Sequence, residues 1–336
     1  MNLSDAIGLY LQDRRAKGAA KNTLRSHERY LRYLLADVGN INTRSLSPRH
    51  VDAFWAAHPD LAPGSRNTAR ACLSAFFTWC RARGHLSRDA DPLEGVKKFR
   101  VPEKPRVLIP QEEFSTFIAS QRDPRRRVIA ALGLYTFAGV SELKQLKWRD
   151  DLGTHLQVVR DKTGLVDDKP VCEELREELD RWKFAYAAHI GRPLEPLDLI
   201  IPGVTGGTYS LAGGRTAIVY HPDRMAALGG TMRDILIDSG YYQPNEGGHT
   251  LRRSGARALY DQLSSVGHDR AIRIVQAMLG HRSIANTEIY LRLSLDRKVR
   301  DDLLAGKPMF PSGGDATVIK LGRQHDGEAR AGGDRV

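Results

Sequence analysis

Apolar positions in residues 1 to about 100 recur at helical spacing. Leu24, Leu31, Leu34 and Leu35 form one stripe, and Asn22 or Thr23 stands where a cap for that helix is expected. A second helix is predicted from about Ser65 to Arg83, with Leu73, Phe76, Phe77 and Cys80 turned inward. The polar complement of these stripes is basic. Arg25, Arg29 and Arg32 recur at four and three residues and so share a face, and Arg66 and Arg70 begin the outer face of the second helix.

The pattern changes near residue 96. Residues 96–110 carry Lys97, Lys98, Arg100, Lys104 and Arg106 among Pro102, Pro105 and Pro110, which predicts a basic interdomain linker. A second domain starts near Gln111. Asp123-Pro124 supplies a cap followed by proline at the first helical position, opening a helix through Val128, Ile129 and Leu132 to about Phe137. Leu156–Val159 and Asp168–Val171 read as two short strands joined by a turn around Lys162-Thr163-Gly164. Helices then dominate, interrupted at about 202–216 by a Gly-rich stretch expected to be a surface loop. Beyond Leu304 apolar content falls away, with Val318-Ile319-Lys320-Leu321 the one patch expected to order. No internal repeat is visible. The predicted architecture is mainly α with a small β hairpin (α+β): a helical domain at 1–95, a linker at 96–110, a second domain at 111–304 and a flexible tail at 305–336.

Composition narrows the function classes. The chain has 336 residues, 41% of them hydrophobic, enough for two domains with buried cores. No apolar run approaches the length of a membrane span, and Arg14, Arg15, Lys17 and Lys21 follow the first apolar stretch instead of preceding it, so a secretory signal is not expected. Cytoplasmic residence is the default. Cys72, Cys80 and Cys172 are odd in number and lack metal-ligand spacing, which argues against a disulfide framework and a zinc site; Cys72 and Cys80 fit a helical core. Net charge is +11, and residues 1–100 hold 17 Lys and Arg against 9 Asp and Glu. A basic first domain beside a near-neutral remainder points to a polyanion, most simply nucleic acid, with a solvated basic surface as the plain alternative; two basic stripes suit the phosphates of a duplex, which need charge and reach more than exact shape.

The last third carries the candidate chemistry. His249 and Arg252 lie three apart and face the same way on a helix. His281 follows Leu279-Gly280, and Tyr290 comes nine residues later, three after Thr287. Together these residues make a cationic cradle for a phosphodiester, with a phenolic nucleophile delivered from a nearby helix. Transesterification needs a nucleophile, donors for the nonbridging oxygens and an acid for the leaving oxygen. A phenol with pKa of about 10 needs a base or cationic surroundings to act. Arg252 would clamp the phosphate through its planar fork, His249 would accept the phenolic proton or donate to a phosphate oxygen, and His281 would supply another donor. Spacing from His249 selects Arg252 over its neighbour Arg253. The plain alternatives are a packing tyrosine, structural histidines and a surface arginine.

This constellation, with Gly248-His249-Thr250-Leu251-Arg252, Leu279-Gly280-His281 and Thr287-Glu288-Ile289-Tyr290, resembles the tyrosine recombinase (phage integrase) family. Ser65-Arg66-Asn67-Thr68 through Phe76-Phe77, then Gly84-His85-Leu86 and Asp91-Pro92, is similar to the last helix and exit turn of that family's core-binding domain. The chain begins almost at that domain, and the resemblance covers roughly residues 1–300. It implies a SAM-like helical core-binding domain and a catalytic domain that clamp duplex DNA as a C, with Arg25, Arg29, Arg32, Arg66, Arg70, Lys97 and Lys98 as DNA-binding candidates. It also implies that Tyr290 forms a 3′-phosphotyrosyl link and frees a 5′ hydroxyl without a metal or other cofactor. Lys162 matches the family's hairpin lysine, expected to protonate the leaving oxygen, with Lys169 as the fallback. Four protomers are expected on DNA, as a homo-oligomer or with a related partner, with the tail after Leu304 passing between neighbours in a nucleoid-associated, cytoplasmic complex.

One position departs from the family. Its first arginine falls in a segment like Thr-Gly-Leu-Arg-x-Ser-Glu-Leu, and here the stretch reads Thr136-Phe137-Ala138-Gly139-Val140-Ser141-Glu142-Leu143. Gly139 stands where the arginine belongs. Removing one preorganised donor costs ~10²–10³ in rate, so catalysis is expected to be weakened. Glu142 is then a stranded carboxylate open to another cation. The alternatives are a recombinase-like DNA-binding accessory or regulatory protein with impaired cleavage, and an activity like that of type IB topoisomerases.

Overall fold

The computed structural model describes residues 1–102, 106–161, 163–206, 217–244, 246–291 and 293. The chain divides into two compact units. The first joins Met1–Val107 with Gln157–Asp168 and Gln243–Glu246; the second joins Leu108–Leu156, Lys169–Tyr242 and the chain from Gly247 on.

Four helices build the first unit: α1 (Leu3–Ala16), α2 (Lys21–Val38), α3 (Pro48–Ala57) and α4 (Pro63–Ala82). Their core contains Tyr10, Leu31, Leu34, Phe54, Leu73, Phe76, Phe77 and Cys80. The inward face of α2 is richer than its leucines alone suggest. His27 and Tyr30 are buried with Leu31 and Leu34, while Leu24 and Leu35 are only half-buried. Tyr10 and His27 meet at 3.1 Å between hydroxyl and Nδ1, which satisfies two polar groups inside the core. Burial pushes the Tyr10 hydroxyl up to about 12 and the Cys72 and Cys80 thiols up to about 11 and 12.

The expected cap of α2 is displaced. Ala20 holds the N-cap position without a side-chain bond, and Asn22 and Thr23 lie inside the first turn. The start of the linker is also fastened down. Asn67 donates to the Phe99 carbonyl at 2.9 Å and accepts from the Phe99 N–H at 2.8 Å, so its amide pairs with the chain as a neighbouring strand would. Arg70 donates to the Val96 carbonyl at 2.8 Å, and the Arg66 guanidinium lies 5.3 Å from the Phe99 ring centroid.

The second unit is organised around α6 (Pro124–Tyr135), which follows the short α5 (Phe114–Ala119). The Asp123 carboxylate accepts from the Arg125 N–H at 2.8 Å, the cap that Asp123-Pro124 predicts. Val128 through Leu134 are all buried, so this helix is enclosed, not amphipathic. Next come α7 (Val140–Leu143), the hairpin of β1 (His155–Val159) and β2 (Val166–Pro170), most of which groups with the first unit, and α8 (Glu173–Ile190). A second hairpin pairs β3 (Pro202–Thr205) antiparallel with β4 (Val219–Met225). The beginning of the expected Gly-rich loop is therefore a strand. A Cβ at Gly203 would fall 2.8 Å from the Arg224 carbonyl oxygen, so glycine lets the two backbones close.

The chain finishes with α9 (Leu228–Asp238), α10 (Gly248–Leu263), α11 (His268–Leu279) and α12 (Ile284–Leu291). Helices α6 and α10 pack at very short range, since a Cβ on Gly255 would lie 1.8 Å from the Leu134 carbonyl oxygen. Phe137, Ala256, Tyr260, Ala271, Ile272, Val275, Leu279 and Leu291 form one apolar cluster that holds α10, α11 and α12 together. The expected tail, including Val318–Leu321, lies outside the described residues.

Candidate active site

Four elements of the second unit converge on one place, beginning with the turn between α6 and α7. Phe137 has φ of 52°, a strained value for an aromatic residue. The Ala138 N–H donates to the Thr136 hydroxyl at 3.1 Å, and the buried Phe137 ring anchors the turn in the apolar cluster. Two residues later Gly139 caps α7, and its N–H donates to Glu142 Oε2 at 2.5 Å. The same Glu142 oxygen lies 3.8 Å from Arg252 Nη1.

Arg252 projects from the first turns of α10, a helix that starts tight against α7. A Cβ on Gly248 would fall 2.4 Å from Val140 Cγ2 and 2.7 Å from the Met232 sulfur, so the residue before His249 has no room for a side chain. Arg252 Nη2 donates to the Leu279 carbonyl at 2.7 Å, and the side chain is only 14% exposed. Helix α11 ends at Leu279, where Gly280 takes the left-handed conformation at φ of 69°. Its last carbonyls have no partners inside the helix and carry partial negative charge, which suits cations. Arg252 takes one of them, and Lys169 donates to the next, Met278.

His281 follows that turn directly. Its N–H donates to the Gln276 carbonyl at 3.1 Å, the Gln276 amide returns a bond to the His281 carbonyl at 3.0 Å, and ring Nδ1 meets the buried Thr287 hydroxyl at 3.1 Å. These contacts fix the ring plane. Tyr290, one turn beyond Thr287 on α12, presents its ring to the His281 ring at 5.3 Å and 83°, edge to face. The Tyr290 hydroxyl donates to the His249 backbone carbonyl at 3.4 Å. The His249 side chain lies on the exposed side of the first turn of α10.

Tyr290, His281, His249 and Arg252 are thus brought together, with Gly139 beside Arg252. A Cβ at residue 139 would lie 3.4 Å from Arg252 Nη1. Lys162 falls outside the described residues. Lys169, the fallback acid, is 3% exposed and donates to the Met278 carbonyl at the end of α11. Thr287 and Glu142 were visible in the motifs, Glu142 as a carboxylate open to another cation, while Gln276 was not assigned.

The basic residues of the first unit separate into two groups. Arg25, Arg29, Arg32, Lys97 and Lys98 are exposed. Arg66 and Arg70 are half-buried and bond the carbonyls of Leu61, Pro59 and Val96, which fixes the loops on either side of α4.

No protein-family model matches the chain. It is 29% identical over 301 residues to tyrosine recombinase XerC of Mycobacterium bovis (strain BCG / Pasteur 1173P2), covering 83% of this chain and 91% of that protein. Tyrosine recombinase XerC of Xanthomonas axonopodis pv. citri (strain 306) is 27% identical over 259 residues, or 75% of each chain. Tyrosine recombinase XerD of Listeria monocytogenes serotype 4b (strain F2365) is 24% identical over 298 residues, covering 83% and 90%. Among solved structures, a lambda integrase (75–356) dimer bound to a COC′ core site aligns with TM-score 0.63 at 19% identity, over 87% of this chain and 95% of that one. XerH bound to palindromic difH substrate, a post-cleavage complex, aligns at 0.60 and 15% identity, covering 86% and 81%. These structural likenesses establish the fold, mainly α with two small sheets.

Proposed function

We propose that the chain, which is 24–29% identical to tyrosine recombinases XerC and XerD, is a site-specific DNA recombinase of that family that cuts and rejoins duplex DNA through Tyr290. The observation that carries this reading is the convergence of the Tyr290 hydroxyl, the fixed His281 ring, the first turn of α10 with His249, and Arg252. Tyr290 attacks the scissile phosphorus and forms a 3′-phosphotyrosyl bond as the bond to the 5′ oxygen breaks. The phenolic proton passes to His249 or solvent, and the leaving oxygen takes a proton from Lys162. Attack by a 5′ hydroxyl reverses the step and rejoins a strand, so the energy of the phosphodiester is conserved.

Arg252 and His281 stabilise charge on the nonbridging oxygens, the contribution that is usually largest in such reactions. Gly139 removes one donor and lowers the rate without changing the reaction. The recombinase relatives do not favour the accessory or regulatory reading. Arg25, Arg29, Arg32, Lys97 and Lys98 supply phosphate contacts in the first domain. Assembly on DNA follows as two and then four protomers; a lambda integrase tetramer bound to a Holliday junction shares this fold, with TM-score 0.60. Among the described residues no helix is long and apolar enough to cross a membrane, and residence on the nucleoid follows from the DNA substrate.

The test is incubation with nicked duplex fragments from the DNA flanking the gene, scoring SDS-stable protein–DNA adducts. Adducts that disappear with Tyr290→Phe support the reading. Adducts that persist unchanged in Tyr290→Phe contradict it.

A further inference from the structure

A neutral imidazole carries a single N–H, so His281 can donate to a phosphate oxygen only from the ring nitrogen that holds that proton. Gln276 clamps the backbone of residue 281 from two directions, its carbonyl accepting from the His281 N–H and its side-chain amide donating to the His281 carbonyl. Nδ1 of the ring is turned to the Thr287 hydroxyl at 3.1 Å. Donation to the phosphate therefore falls to Nε2.

Thr287 has no exposed surface, and a buried hydroxyl is stable only when it is hydrogen-bonded. Valine would fill the same volume, so packing alone gives no reason for the hydroxyl. Its one proton has two acceptors within reach, His281 Nδ1 at 3.1 Å and the Ser283 carbonyl at 3.5 Å. The longer contact is at the limit of a hydrogen bond. Ser283 also stands just before α12, where a carbonyl accepts the first bond of the helix. The hydroxyl proton is better used on Nδ1, and the ring proton then sits on Nε2. The opposite assignment would put N–H at Nδ1 and leave Nε2 only a lone pair to offer an anionic oxygen, which it repels.

We propose that Thr287 is a positioning residue that holds His281 as the Nε2–H tautomer, so that a neutral imidazole donates to a nonbridging oxygen while Tyr290 attacks. The proposal rests on the recombinase reading above. His281 keeps its Nε2 proton throughout the step, and the phenolic proton leaves by its separate route to His249 or solvent. Thr287 lies one turn before Tyr290 on α12, and the two rings meet edge to face at 5.3 Å. The helix that delivers the nucleophile thus also sets the donor.

The tautomer is read directly by long-range proton–nitrogen NMR on protein labelled at its histidine nitrogens, at about pH 8, where an ordinary imidazole is neutral. His281→Gln identifies the signals of residue 281. The unmodified protein shows N–H at Nε2 and a bare Nδ1. Thr287→Val keeps the shape but can neither donate nor accept, so the two tautomers exchange and the signals average, while Thr287→Ser restores the unmodified pattern. N–H at Nδ1 in the unmodified protein overturns the proposal, as does the same pattern in Thr287→Val. Should Thr287→Val fail to fold, Thr287→Ala is read in its place.

Adduct formation on nicked duplex separates this role from packing. Thr287→Val lowers the rate about tenfold, a share of the ~10²–10³ that one well-placed donor supplies, and Thr287→Ser recovers most of it. Because Thr287 acts through the ring, adding Thr287→Val to His281→Gln slows the reaction no further. A second tenfold loss in that double variant, or an unchanged rate in Thr287→Val alone, overturns the proposal and leaves the recombinase reading standing. No adduct from any protein, Gly139→Arg included, overturns the recombinase reading instead, and the NMR comparison then decides the tautomer by itself.

Discussion

Replacing Arg252 separates the structural and chemical duties of one side chain. Its Nη2 donates to the Leu279 carbonyl at 2.7 Å, and its Nη1 faces the Glu142 carboxylate at 3.8 Å, with both side chains largely shielded from water. Arg252→Ala leaves a terminal carbonyl of α11 without its donor and a half-buried carboxylate without its counter-ion. A charge-assisted hydrogen bond is worth about 1.5–3 kcal/mol and the ion pair adds less at its longer distance, so the cost is about 2 kcal/mol. For a domain of this size that lowers the melting temperature by about 4–8 °C. Arg252→Lys keeps a cation that can reach one partner at a time and recovers about half of the loss. Activity does not recover in parallel, because an ammonium cannot span the phosphate as a fork does. Adduct formation therefore falls by ~10²–10³ in both variants. Calorimetric melts and adduct assays on the same preparations provide the comparison. An Arg252→Ala protein that melts within about 1 °C of the unmodified chain would refute the claim that this guanidinium ties α10 to the end of α11.

Three further outcomes follow from other contacts. Gly255→Ala drives a methyl group against the Leu134 carbonyl oxygen, where 1.8 Å is available, so urea unfolding shows a loss of about 3 kcal/mol or more, whereas an unchanged midpoint would disprove the close approach of α6 and α10. Burial, with Arg14 nearby, holds the His27 imidazole below its ordinary range, so the unfolded chain binds the proton more readily. Stability of the first unit is then full above about pH 6.5 and declines as pH falls through that value, and His27→Gln flattens this dependence in chemical unfolding. Replacing Arg25, Arg29 and Arg32 together with alanine reduces the slope of log binding constant against log salt by about 2–3 on duplex DNA, while Arg66→Ala lowers the melting temperature of the first unit and changes that slope much less.

What could be read from the chain depended on how locally each feature is determined. The Asp123-Pro124 helix start was legible because the capping carboxylate and the N–H that donates to it lie within two residues. The start of α2 was not, since no side chain caps it and its boundary is set by packing of His27, Tyr30, Leu31 and Leu34. Strand β3 was hidden because Pro202 and Gly203 are poor strand formers, and its partner β4 begins fourteen residues after β3 ends. The spaced set of His249, Arg252, His281 and Tyr290 could be read because family resemblance fixes residue type and separation together. The environment of that set could not. That Glu142 faces Arg252, that Arg252 bonds the end of α11, and that Lys169 is buried beneath the Met278 carbonyl all follow from helix packing. Arg66 and Arg70 show the same limit in the first unit, where Arg66 bonds the loop that enters α4 and Arg70 the segment that leaves the unit.

The most direct test of the central claim is to trap the covalent complex on nicked duplex, digest it, and locate the nucleotide-bearing residue by mass spectrometry. The account predicts a peptide from α12 carrying a 3′-linked nucleotide on Tyr290, at low yield in the unmodified chain and higher yield in Gly139→Arg. A nucleotide attached to any other residue, or an undiminished adduct in Tyr290→Phe, would contradict it.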